Sequence, residues 1–191
     1  MLVLVSGGSG SGKSALAESI ACGRFRELPE NVRGRLLYAA TMYADLTDPE
    51  TVRRIARHRS LRAGKGFETV EVPTALETLE VRSGDVLLIE DLPNLLANEI
   101  WSPDGRVHSE EDAVRYLAEA VFSLTARGAD VVAVTGEVSA DGLTKEPGSE
   151  MLLYIRALNR VGIRLAEQAD RVYESVAGIS VEILMRQQDF L

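Results

Sequence analysis

Eight residues near the start constrain this chain more than any other stretch. Gly7-Gly8-Ser9-Gly10-Ser11-Gly12-Lys13-Ser14 has the spacing G-x-x-x-x-G-K-S of a phosphate-binding loop. Each residue type has a physical reason to be there. Glycines accept positive φ and let backbone N–H groups close around a phosphate with no Cβ in the way. Lys13 offers a point charge to the outer phosphates, and the Ser14 hydroxyl offers a ligand to magnesium. The flanks agree. Leu2-Val3-Leu4-Val5 is a short apolar run of the kind that forms a strand buried on both faces. Ala15, Leu16, Ile20 and Ala21 follow at helical spacing, so the order is strand, glycine loop, helix, and the helix N-terminus meets the anion.

Strand and helix patterns alternate along the rest of the chain. They predict an α/β fold with a mainly parallel sheet, helices on both faces and a C-terminal antiparallel hairpin. Arg24 to Gly34 reads as a connection, and Arg35 to Ala40 as a second strand. That strand ends in Thr41-Met42-Tyr43, at the edge where open α/β sheets present ligand-binding residues. Asp48 and Pro49 are expected to start a helix that carries Arg53, Arg54, Arg57, His58, Arg59 and Arg62. Arg54, His58 and Arg62 are four apart and share a face. Such a row suits a phosphate, or else a solvated face paired with acids elsewhere.

Phe67 to Val72 alternates as a strand. Thr74 to Arg82 is predicted as a helix capped by Thr74, with Glu77 completing a capping box. Val86-Leu87-Leu88-Ile89 is a buried strand closing in Glu90-Asp91. Either acid could hold magnesium for a phosphate-loop enzyme, or both could cap the next segment, Leu92 to Trp101, which reads as helical or irregular. Ser109 should start a long amphipathic helix, and Asp130 to Thr135 forms another strand. Ala140 to Ser149 is a loop, either a lid or an ordinary surface connection. Glu150 to Ala169 is predicted as a helix with Leu152, Ile155, Leu158, Val161 and Leu165 inward. Arg156, Arg160 and Arg164 line another face of it, open to a phosphate or to solvent-facing acids. Arg171 to Val176 and Ser180 to Leu184 are strands around Ala177-Gly178. One nucleotide-binding domain over residues 1–185 and a loose tail over 186–191 are expected.

Composition removes several function classes. A net charge of -8 argues against a general nucleic-acid binder. A single cysteine, Cys22, rules out an internal disulfide framework and a Cys-based zinc cluster. No apolar run approaches membrane-spanning length, and Met1 leads straight into a core strand, so a cytoplasmic protein without a membrane anchor is expected.

Several separate stretches together resemble one family, the bifunctional adenosylcobinamide kinase / adenosylcobinamide-phosphate guanylyltransferases of cobalamin biosynthesis. They are Leu4-Val5-Ser6-Gly7-Gly8 before the loop, Tyr38-Ala39-Ala40-Thr41, and Arg54-Ile55-Ala56-Arg57-His58-Arg59 with Arg62 behind it. Thr69-Val70-Glu71, the strand ending in Glu90 with Asn98 downstream, and Val134-Thr135-Gly136-Glu137-Val138 follow in order. Asn159-Arg160-Val161-Gly162-Ile163-Arg164-Leu165-Ala166, then Ala169-Asp170, and the Val-Ala-Gly-Ile-Ser-Val end complete the set.

The resemblance implies a RecA-like phosphate-loop fold, a homo-oligomer, and two reactions using magnesium with GTP or ATP. One phosphorylates the aminopropanol hydroxyl of a corrinoid, adenosylcobinamide. The other moves GMP from GTP onto that phosphate through a histidine-bound intermediate, and His58 falls at the position of that histidine. It implies nucleotide contacts from the loop Gly7–Ser14, from Ala40, Thr41 and Met42, from Arg59, Ser60, Leu61 and Arg62, and from Glu71 and Glu90. Gly136, Ala157 and Gly162 depart from the family's usual asparagine, aspartate and asparagine. A small-molecule kinase without the guanylyl step, or a nucleotide-dependent regulatory protein, are the competing readings.

Overall fold

The computed structural model describes residues 1–43, 52, 53, 56, 60, 62–103, 105–136 and 148–186. Seven strands form one sheet: β1 (Leu2–Gly7), β2 (Leu36–Ala40), β3 (Glu68–Glu71), β4 (Val86–Glu90), β5 (Asp130–Val134), β6 (Arg171–Val176) and β7 (Ile179–Met185), in the order β3-β2-β4-β5-β1-β6-β7. All neighbours are parallel except the terminal hairpin β6–β7. The C-terminal ends of the parallel strands therefore share one edge, and the glycine loop leaves β1 at that edge.

Both faces are covered because the interior strands are near-continuous apolar runs, broken only at their ends by Ser6, Gly7, Glu90 and Asp130. Val3, Val5, Leu36, Tyr38, Val86, Leu88, Val132 and Val134 pack with Ala17 and Ala21 of helix α1 (Lys13–Glu27). Leu2, Leu4, Leu37, Ala39, Leu87, Ile89, Val131 and Ala133 belong to the larger core on the opposite face. That core is closed by α2 (Leu92–Trp101), by a continuous helix made of α3 (Glu110–Ala113), a π-helical turn (Val114–Ala118) and α4 (Glu119–Ala126), and by α5 (Ser149–Gln168).

Three sequence expectations are corrected. Helix α1 does not stop before Arg24 but runs to Glu27, held there by the Arg24 Nε bond to Asp130 (2.6 Å) and by Phe25 against the core. The segment Thr74 to Arg82 is not a helix. It holds only a 3₁₀ turn at Leu76–Thr78, entered through Ala75 in the left-handed region (φ 54°). Glu77 builds no capping box, because its carboxylate is taken by Arg106 (2.5 Å), and the Ala75 N–H donates to Glu99 instead (2.8 Å). Leu152, expected inward on the long helix, is exposed, whereas Leu158, Val161 and Leu165 are buried as the spacing predicts. Two of the three arginines in the basic row on that helix pair with acids: Arg160 with Glu110 and Glu111, and Arg164 with Glu119 and Glu167.

The start of β4 is pinned by an ion pair between a buried carboxylate and a half-buried guanidinium. Asp85 is fully buried, accepts from the backbone N–H of Arg35 (2.8 Å) and Arg82 (3.1 Å), and pairs with the Arg35 guanidinium (2.6 Å). The helix start expected at Asp48, the loop from residue 140 to 147 and the tail from 187 onward lie outside the described residues; Val52, Arg53, Ala56, Ser60 and Arg62 are helical.

Candidate active site

The loop Gly7–Ser14 adopts the conformation its glycines allow. Gly10 and Gly12 take positive φ (69° and 96°), where a side chain would be strained. Gly7 is required for a second reason: a Cβ there would lie 2.3 Å from the Ser175 carbonyl oxygen. The Ser11 N–H donates to Gly8 O (3.3 Å), and the Lys13 ammonium donates to the same carbonyl (3.2 Å), which parks the cation over the loop. No side chain caps α1 at Gly12, so the positive end of the helix faces the loop uncovered.

The loop is fastened from behind by the hairpin. The Ser11 carbonyl accepts from Ser175 Oγ (2.8 Å) and from the Gly178 N–H (2.9 Å). Neither residue carries a sequence signal that would have marked it for this purpose. The Ser11 hydroxyl itself is buried with no hydrogen-bond partner among the described residues.

Strand β4 ends in Glu90, which separates the two acids left open by the sequence. Asp91 is the N-cap of α2, accepting from the Asn94 N–H (2.9 Å), and its backbone N–H and C=O bracket the buried Thr41 hydroxyl (2.8 and 3.0 Å). Glu90 is buried and its Oε2 has no hydrogen-bond partner among the described residues. Beside it, Tyr38 carries the Arg62 guanidinium against its ring, with Cζ 3.4 Å from the centroid. Burial first, and then the charge of Glu90, push the Tyr38 hydroxyl well above its ordinary range, while Arg62 pulls it the other way. Arg62 is also buried, and its Nη1 has no partner among the described residues. A buried unpaired carboxylate oxygen and a buried unpaired guanidinium N–H are each costly, and a ligand that meets them removes the cost.

A cavity of about 440 Å³ lies against this arginine, lined by Arg62, Ala63, Gly64, Gly66, Phe67 and Thr69. Met42 and Glu71 sit at the same C-terminal edge of the sheet, Glu71 paired in register with Ala40. Asn98 of α2 ties this edge together, its amide donating to Thr41 O (2.7 Å) and Pro73 O (2.8 Å). Of the predicted site residues, His58, Arg59 and Leu61 lie outside the described residues, as does Arg54.

A family model for cobinamide kinase / cobinamide phosphate guanyltransferase matches residues 3–183. The chain belongs to this family. Two curated relatives of the cobinamide kinase / guanyltransferase family, from Salmonella typhimurium and Escherichia coli, are each named bifunctional adenosylcobalamin biosynthesis protein CobU. Each is 30% identical to this chain, over 198 and 195 residues, covering 96% of this chain and 99% of the relative. Solved structures are more distant. The flagellar accessory protein FlaH from Methanocaldococcus jannaschii aligns at a TM-score of 0.44 and 15% identity, covering 97% of this chain and 78% of that one. A second solved structure, an ATPase domain, aligns at a TM-score of 0.48 and 13% identity, covering 91% of this chain and 68% of that one. Neither overlap is close enough to bear on the site.

Gly136, where the resemblance leads one to expect asparagine, has a local setting. A Cβ on Gly136 would sit 3.4 Å from Pro93 Cγ, so the ring of Pro93 occupies the space beside it. Ala157 is fully buried in the core, where an unpaired carboxylate would be expensive. Among the described residues no helix is long and apolar enough to cross a membrane.

Proposed function

We propose that this chain phosphorylates adenosylcobinamide with a nucleoside triphosphate and then transfers GMP from GTP to the product, giving adenosylcobinamide-GDP. One observation carries the reading. In a chain matched almost end to end by the family model, a formed phosphate loop shares the sheet edge with two buried groups of opposite charge, Glu90 and Arg62, each of which keeps one atom without a partner among the described residues. Strands β1 and β4 are separated only by β5, so Glu90 stands roughly 10 Å across the sheet from the loop.

In the kinase step, the triphosphate lies in the loop Gly7-Gly8-Ser9-Gly10-Ser11-Gly12, bonded by backbone N–H groups and the start of α1. Lys13 leaves the Gly8 carbonyl for the outer phosphates, which offer it a full charge. Ser14 and Glu90 are the residues to hold magnesium, Glu90 through its unspent oxygen, directly or by way of water. Among the described residues no cluster of three or more His, Cys, Asp or Glu side chains surrounds a metal position. That suits an ion taking its remaining ligands from phosphate and water. Magnesium, when bound, neutralises charge that develops on the phosphates.

In the guanylyl step, the neutral imidazole of His58 attacks the α-phosphorus of GTP, a P–N bond forms and pyrophosphate leaves. The phosphate of the first product then attacks the same phosphorus and breaks the P–N bond. Arg59 and Arg62 balance the negative charge on the phosphates. Ala40, Thr41, Met42, Ser60, Leu61 and Glu71 line the nucleotide, and the cavity between Arg62 and Phe67 is space for it. The enzyme works in the cytoplasm as a homo-oligomer. Val176, Ile179 and Val181, more than half exposed at the hairpin with β7 as a free edge, form the surface for self-association.

Incubation with adenosylcobinamide, GTP and magnesium, followed by mass analysis of the corrinoid, tests this reading. It predicts the phosphate and then the GDP derivative. An unchanged corrinoid, from protein that binds GTP, would overturn it.

A further inference from the structure

A second cavity, of about 460 Å³, opens beside the C-terminal end of α2, lined by Tyr43, Ala97, Asn98, Trp101, Ser102 and Pro103. The nucleotide reading makes no use of it. Among the described residues its lining carries no charged side chain, in contrast to the cavity at Arg62. Two aromatic rings stand in it half-exposed, Tyr43 at 48% and Trp101 at 46%. Trp101 is not loose: it rests on Tyr154 (centroids 5.2 Å, planes at 34°) and its indole N–H donates to Glu150 (3.3 Å). The protein thus holds a large apolar ring in a fixed pose against open space. The Ser102 hydroxyl is buried there with no hydrogen-bond partner among the described residues.

Position narrows the ligand. Asn98 lines the cavity and also bonds Thr41 O, so the cavity sits at the C-terminal end of β2. From β2 to β1 is three strand spacings, roughly 14 Å, on the same edge as the phosphate loop. A ligand seated here reaches the loop only by a long arm. A corrinoid has that shape: a broad, mostly aliphatic ring, edged with carboxamides, carrying its reacting hydroxyl on a flexible chain. We propose that this cavity binds one edge of the corrin ring of the acceptor substrate. Tyr43 and Trp101 lie against its aliphatic surface, and Ser102 bonds a carboxamide. The inference rests on the cobinamide kinase reading above.

Initial rates of the kinase step, with adenosylcobinamide and triphosphate varied in turn, test it in Trp101→Ala, Tyr43→Ala and Ser102→Ala. Equilibrium dialysis read by corrinoid absorbance gives binding directly. The expected result is a KM and a Kd for adenosylcobinamide raised tenfold or more in the aromatic variants and about threefold in Ser102→Ala. KM for the triphosphate stays within twofold. Unchanged corrinoid constants would overturn the assignment, and so would a rise in the triphosphate constant instead. Ser102→Ala removes only an unpaired hydroxyl, so it decides the matter should an aromatic variant fail to fold. Wild-type protein that neither binds nor phosphorylates adenosylcobinamide would sink the kinase reading itself. Wild-type turnover matched by all three variants would sink the cavity alone.

Discussion

At the scale of single residues, the phosphate loop depends on contacts that arrive from far along the chain. Gly7→Ala would place a methyl carbon 2.3 Å from the Ser175 carbonyl oxygen, and backbone cannot yield as a flexible side chain would. Gly7→Ala is expected to lower Tm and to abolish triphosphate binding, both readable in one thermal-shift titration. Ser175→Ala is milder. It removes one of the two donors on the Ser11 carbonyl and leaves the Gly178 N–H, so stability should fall by about 1 kcal/mol. The loop should loosen with it, and KM for the triphosphate should rise several-fold while KM for the corrinoid holds. These residues also show what a sequence can display. Lys13 and Ser14 are legible because the loop's signal is contained in eight consecutive positions. Ser175 is not, because its partner is 164 residues away and a serine in a strand announces nothing. Tyr38 likewise reads as a strand residue until Arg62 is seen lying on its ring.

At the scale of elements, the ion pair under β4 governs how the sheet responds to acid. Burial alone would raise the Asp85 carboxyl, but the Arg35 guanidinium and the backbone N–H groups of Arg35 and Arg82 outweigh it and hold the group below its usual range. A depressed carboxyl stabilises the fold fully above its unfolded value, about 3.9, and that contribution is lost as pH falls through the lower folded value. Denaturant unfolding should therefore weaken below about pH 4 more steeply in the wild type than in Asp85→Asn. At pH 7 the variant should be less stable by about 1.5 kcal/mol, since charge-assisted hydrogen bonds are lost while the half-buried Arg35 stays partly solvated. Elements whose cues are local, such as β1, α1's start and the Ser109 cap, match their sequence expectation. The helix expected over Thr74 to Arg82 does not form because Glu77 and the Ala75 N–H are claimed by Arg106 and Glu99. Those partners are local to nothing in that stretch. Asp91 as cap and Glu90 as the acid with an unspent oxygen were likewise inseparable until the cap was seen.

At the scale of the molecule, alternation of strands and helices was enough to expect a mainly parallel sheet closed by an antiparallel hairpin, and the sheet order bears that out. What alternation could not convey is that the hairpin leaves Ile179 at 70% exposure and Val181 at 56%. If copies of the chain associate there, Ile179→Lys with Val181→Lys should yield a smaller species in sedimentation velocity with the loop's nucleotide affinity intact; an unchanged sedimentation coefficient would place self-association elsewhere. The central claim is that one chain performs both phosphoryl and guanylyl transfer, and it turns on His58. The most direct measurement is the intact mass of the protein after GTP and magnesium, for wild type and His58→Ala. The account predicts a gain of one GMP in the wild type and none in the variant. A wild type that binds GTP and gains no mass, or a variant that gains the same mass, would contradict it.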